Sequence, residues 1–148
     1  MVITLEGRCC SRRVRILIDS GASSNFISKT LWKRLPKKYR IGEKCILYIN
    51  TASGSSVEES RKIPSIPFSI QNYNGFLRNT FVCYNPPKHD IVLGMSWLEQ
   101  YNPTIDWKKL TISFPNENET KTIHVPPIKY KESIRYCYEL RSRLVVPL

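Results

Sequence analysis

No apolar run in this chain approaches the roughly 20 residues that cross a bilayer as a helix, so no membrane anchor is expected. A secretory leader is equally unexpected, because Arg8, Arg12, Arg13 and Arg15 interrupt its only candidate apolar core. Paired cysteine is missing too. Cys9, Cys10, Cys45, Cys83 and Cys137 are odd in number and scattered, without metal-ligand spacing. The expectation is reduced thiols in a cytoplasmic protein, with no metal and no cofactor. Internal repeats and low-complexity tracts are absent. At 148 residues and 41% apolar, the chain has the material for one small core, which excludes disorder throughout. Acid is scarce: 12 Asp and Glu face 23 Lys and Arg, a formal net charge of +11. The basic residues cluster at Lys29, Lys33, Arg34, Lys37, Lys38, Arg40 and Lys44, and again from Lys129 to Arg143. Such clusters are solvated surface or nucleic-acid contacts. No stacking aromatic motif or zinc knuckle accompanies them, which reduces nucleic acid to a non-specific RNA contact.

What is present is concentrated in one stretch. Val14-Arg15-Ile16-Leu17-Ile18 alternates and is rich in β-branched residues, the pattern of a strand entering a core. It runs directly into Asp19-Ser20-Gly21-Ala22-Ser23-Ser24, after which Phe26 and Ile27 are apolar again. A carboxylate at the end of a buried strand is expensive to ionise unless something compensates it. Gly21 permits a sharp turn, and Ser20 and Ser23 supply hydroxyls to fasten it. Alone, D-S-G fits an ordinary turn leaving a strand, and D-S-G-x-x-S also matches a phosphodegron. A degron needs an exposed, flexible segment, which the apolar flanks oppose.

A second string stands far downstream. His89-Asp90-Ile91-Val92-Leu93-Gly94 reads as a short apolar strand ended by glycine, with His89 a surface residue ahead of it. Met95 to Tyr101 then reads as one or two turns of helix, stopped near Asn102 by Pro103. Together, Leu17 to Ser28 and Asp90 to Trp107 resemble the retroviral-type aspartic proteases (retropepsins), above all those of gypsy-type long-terminal-repeat retrotransposons. The resemblance runs from about Val2 to Phe114. It implies a mainly β fold, the closed β-barrel of one acid-protease half, with one short C-terminal helix and a symmetric homodimer. It assigns residues 1–115 to a protease domain and leaves 116–148 as a basic C-terminal extension or linker.

Aspartic-protease chemistry needs two facing carboxylates that hold one water and share one proton. Only Asp19 stands in a D-S-G, since neither Asp90 nor Asp106 is followed by a Ser/Thr-Gly pair. A single copy in a small domain calls for a second chain, each giving one Asp19 across a two-fold axis. By resemblance, Ser20 reaches across that dimer to brace the paired turns, and Gly21 offers its backbone to the substrate main chain. Ala22 and Ser23 would line the cleft, and Gly94 would let its strand cross behind the catalytic loop. Ser53-Gly54 would tip a flap that closes over an extended peptide. The plainer alternatives are a local turn hydrogen bond, a glycine before a helix and a polar hairpin. Trp97, Leu98 and Trp107 read as core and interface packing. The hairpin Thr104 to Phe114 reads as dimer interface or as monomer core. The implied function is a retrotransposon's aspartic endopeptidase, cleaving polyprotein in the cytoplasm or in virus-like particles. The alternative is a silent, domesticated copy that serves as a dimerisation or peptide-binding module.

Around these strings, strands are expected at Val2 to Leu5, Arg13 to Ile18, Cys45 to Ile49, Ile63 to Ile70, Thr80 to Tyr84 and Leu110 to Phe114. Turns are expected at Glu6-Gly7-Arg8 and over Gln71 to Gly75. Ser28 is placed to cap a helix running to Leu35. From Pro115 the pattern fades, and Tyr130 to Val146 reads as a helix.

Overall fold

Apolar and polar residues alternate through the first hairpin, and the chain follows them. In the computed structural model, which describes residues 2–51, 54–83, 89–114, 120–125 and 143–147, β1 (Val2–Cys9) and β2 (Arg12–Asp19) pair antiparallel. Their register runs from Val2 opposite Asp19 to Cys9 opposite Arg12. The connection is Cys10-Ser11, both left-handed at φ 51 and 66, as a two-residue turn matched to strand twist requires. The turn expected at Glu6-Gly7-Arg8 is therefore displaced. Gly7 lies within the strand instead, where an added Cβ would stand 2.4 Å from the Ser69 carbonyl oxygen.

After β2 come β3 (Phe26–Ser28), α1 (Lys29–Arg34), a 3-10 turn (Lys37–Tyr39) and β4 (Glu43–Thr51). Ser28 caps α1 as expected: its Oγ accepts the Leu31 N–H at 3.1 Å. β5 (Gly54–Ile70) is one strand of 17 residues. Its first half pairs with β4 and its second half with β6 (Tyr73–Cys83). The break expected over Gln71 to Gly75 shrinks to Gln71-Asn72. There Gln71 takes the left-handed conformation at φ 52 and β6 begins at once.

β7 (Ile91–Leu93) leads to α2 (Met95–Tyr101), which ends on a left-handed Asn102 before Pro103. Six strands close a barrel in the order β1-β2-β7-β3-β6-β5, with β5 returning to β1 at Arg8 opposite Ser69. The fold is the mainly β, retropepsin-like one, with two short α-helices. β4 extends the sheet beyond this ring. On its outer edge lies β11 (Arg143–Pro147), antiparallel, with Val145 opposite Leu47. The helix expected over Tyr130 to Val146 is thus strand from Arg143 on, which suits the β-branched Val145 and Val146. Residues 126–142 lie outside the described residues.

A second, three-stranded sheet orders β10 (Lys121–His124), β9 (Thr111–Phe114) and β8 (Thr104–Asp106). Ile112, Phe114, Ile123 and Val125 from it are buried in the main core. Residues 121–125, read from the sequence as extension, therefore help complete that core. Its centre is aromatic. Tyr73 stacks on Phe114 with centroids 4.2 Å apart, and Trp97 meets both rings edge-on at 6.4 and 5.7 Å. Trp107, by contrast, is 55% exposed. Among the described residues, no helix is long and apolar enough to cross a membrane.

Candidate active site

β2 is buried from Ile16 to its end, and Asp19 is fully buried with it. The turn supplies part of the compensation that its position demands. The Gly21 N–H donates to Asp19 Oδ1 at 2.8 Å, and the Ala22 N–H donates to the Asp19 carbonyl at 3.1 Å. The turn therefore orients the carboxylate before any ligand arrives.

The loop from Asp19 to Asn25 takes its shape from the strand inserted behind it. β7 is parallel to β2, with Ile16 opposite Ile91 and Ile18 opposite Leu93, and antiparallel to β3, with Phe26 opposite Val92. The strands before and after the loop are thus held apart by β7, and the loop arches over its end. The arch is tied down by the Met95 N–H, which donates to the Ala22 carbonyl at 2.8 Å. It is also tied by the Gly94 N–H, which donates to Asn25 Oδ1 at 3.0 Å. Gly94 is glycine for a steric reason: a Cβ there would stand 2.2 Å from the Ser24 carbonyl oxygen and 2.7 Å from that of Ala22.

Asn25 is the residue that sequence reasoning missed. It is 2% exposed; besides accepting from Gly94, its Nδ2 donates to the Arg78 carbonyl at 3.1 Å, and its own carbonyl accepts the Phe81 N–H at 2.9 Å. One side chain thus joins the loop, the start of α2 and β6. The available signal was a polar residue set directly before the buried pair Phe26-Ile27.

The other expected positions fall as follows. Ser20 and Gly21 are half-buried beside Asp19, and Ser23 is exposed. Ala22, expected to line a cleft, is buried and packs with Leu17, Phe26, Leu47, Cys83 and Val92 beneath the loop. Leu47 brings the base of the β4–β5 hairpin into that cluster. The hairpin stays paired out to Thr51 opposite Gly54, while Ser53 lies outside the described residues. Asp90 and Asp106 serve the backbone. Asp90 Oδ2 accepts the Arg15 N–H at 2.7 Å, and Asp106 Oδ1 accepts from Lys108 and Lys109 at 3.0 and 2.9 Å. His89 is not a surface residue but is 6% exposed, with Nε2 3.4 Å from Thr4 Oγ1. β7 is an interior strand, so the residue leading into it is drawn inside beside β1.

The chain matches the PEG10/RTL1 protease domain over residues 15–123, a span containing the loop, the hairpin, β7 and α2. Its fold is similar to the retroviral protease-like domain of Ddi1 from Leishmania major, with a TM-score of 0.63 at 15% identity. That alignment covers 88% of this chain and 98% of the other. Comparison with curated proteins finds no match.

Proposed function

This chain belongs to the PEG10/RTL1 protease-domain family, and from that premise we propose that it is an aspartic endopeptidase of retrotransposon type, acting as a homodimer on extended polyprotein segments. The observation that carries the reading is the buried Asp19 carboxylate, oriented by Gly21 on a loop that β7, Gly94 and Asn25 brace from behind. Asp90 and Asp106 each accept backbone N–H groups, which supports a second catalytic carboxylate supplied by another copy.

In that dimer one water lies between Asp19 and Asp19 of the partner subunit. The ionised carboxylate takes a proton from the water as its oxygen attacks the scissile carbonyl carbon. The protonated carboxylic acid gives its proton to the carbonyl oxygen, producing a tetrahedral diol. Transfer of a proton to the amide nitrogen then breaks the C–N bond and releases an acid and an amine. Ser20 braces the two turns, while Gly21 and Ser23 hold substrate main chain. The β4–β5 hairpin, the expected flap, excludes water during the reaction.

The test is incubation of the purified chain with a peptide library over a range of pH, wild type beside Asp19→Asn. Wild type cleaves with a bell-shaped rate profile whose optimum lies on the acid side of neutral. Asp19→Asn keeps its fold, judged by circular dichroism, and loses cleavage. Undiminished cleavage by Asp19→Asn would falsify the mechanism. Peptide binding by wild type without turnover would instead identify a silent module.

A further inference from the structure

At the end of β2 opposite Asp19, a cavity of about 360 Å³ opens between the β1–β2 turn and α1. Ser11, Arg12 and Arg13 line it from the hairpin, and Thr30 and Arg34 line it from the helix, where a spacing of four puts them on one face. The sequence separates these arginines by a loop, a strand and most of a helix; the fold gathers them at one cavity. All three are exposed, and none has a carboxylate partner among the described residues. The cavity's one carboxylate, Asp90, already accepts the Arg15 N–H through Oδ2 at 2.7 Å. Three like charges around one cavity repel each other until an anion enters. Guanidinium forks and the Ser11 and Thr30 hydroxyls are the donors that tetrahedral oxyanions accept.

We propose that this cavity is a phosphate-binding subsite for a nucleic-acid backbone. A polymer fits better than an isolated phosphate because the positive charge continues beyond the cavity. Arg8 and Arg15 on the hairpin are exposed, as are Lys33, Lys37 and Lys38 along α1 and the 3-10 turn. A single phosphate would be satisfied by the three arginines and leave these idle; successive phosphates would use them. No aromatic ring lines the cavity, so bases are not stacked and the contact is independent of sequence. Arg12 and Asp19 sit at the two ends of β2, about 23 Å apart at the rise of a strand. The site is therefore separate from the catalytic loop, and its readout does not depend on proteolysis.

The experiment is fluorescence anisotropy of the full chain with labelled single-stranded RNA and with a duplex of equal length, at several salt concentrations. Wild type binds both without sequence preference. The triple variant Arg12→Ala, Arg13→Ala, Arg34→Ala weakens binding by about tenfold or more and lowers the salt slope on single strands by about 2, the share of three phosphate contacts. A control triple, Lys44→Ala, Lys62→Ala, Lys108→Ala, removes the same charge elsewhere and moves affinity by less than about threefold. The single variant Arg34→Glu, on an exposed helix position, gives the same direction of change should the triple lose its fold. Equal losses in the two triples would reduce the site to diffuse charge and overturn the proposal. Phosphopeptides or phosphatidylserine vesicles that bind more tightly than RNA, with the arginine variants losing that binding, would overturn it as well.

Discussion

Asp19 and Cys9 are both fully buried, and the chain treats them in opposite ways. Asp19 meets a donor: the Gly21 N–H points at its Oδ1 at 2.8 Å. Cys9 meets an acceptor: its thiol points to the Pro67 carbonyl at 3.4 Å, an arrangement that only S–H satisfies. Burial, with the adjoining Cys10 adding to it, pushes the Cys9 thiol from 9.0 up to about 12. Burial likewise raises Tyr73 from 10.0 to about 12. Both groups keep in the folded chain a proton that the unfolded chain releases. Their stabilising contribution is thus complete below pH 9 and is lost as pH climbs toward 12. Urea unfolding on either side of pH 9 should show stability falling on the alkaline side, and Cys9→Ala should flatten the first part of that fall. Alkylation of the folded chain near neutral pH should label the half-buried Cys10 well ahead of Cys9.

The join between β7, α2 and the loop is where the two candidate strings of the sequence become one object. Gly94→Ala forces a methyl group against two backbone carbonyls that cannot rotate away, and should cost about 3 kcal/mol. Asn25→Ala leaves the Gly94 N–H without its Asn25 acceptor and takes from the Arg78 carbonyl the shorter of two side-chain donors, and should cost about 1–3 kcal/mol. Thermal and urea denaturation measure both, and a Gly94→Ala protein as stable as wild type would contradict the packing described. Much of this join was legible beforehand. A buried strand running into D-S-G, and an apolar triplet before a glycine and a helix, are local patterns whose chemistry sits in consecutive residues. Asn25 was not legible, because its partners Gly94, Arg78 and Phe81 are brought to it only by the finished sheet. His89 was misjudged for the same reason, since nothing local says that β7 is interior. The Gly7 turn was misplaced because a mid-strand glycine answers to Ser69, some sixty residues away. β11 escaped because its pairing partner, β4, is more remote still, nearly a hundred residues away.

These 148 residues carry one D-S-G carboxylate, so the proposed activity calls for a pair of chains. Specific activity should fall on dilution as the dimer dissociates, and excess Asp19→Asn should suppress wild type beyond simple dilution by forming mixed dimers. Sedimentation showing a fully active monomer would end the symmetric-site reading. The hairpin from Thr104 to Phe114 can offer Trp107 to such a dimer, but not Ile112 or Phe114, which are spent on the monomer's own core. The insertion of β7 between β2 and β3 has one more consequence, and it concerns time. The segment that shapes the Asp19 loop is made some seventy residues after the loop itself. During synthesis the loop therefore waits unformed until Asp90 to Met95 has left the ribosome and threaded into the gap, a late, long-range step in folding. On the proposed function, a copy still lacking that segment would not cleave, and the delay follows from topology alone.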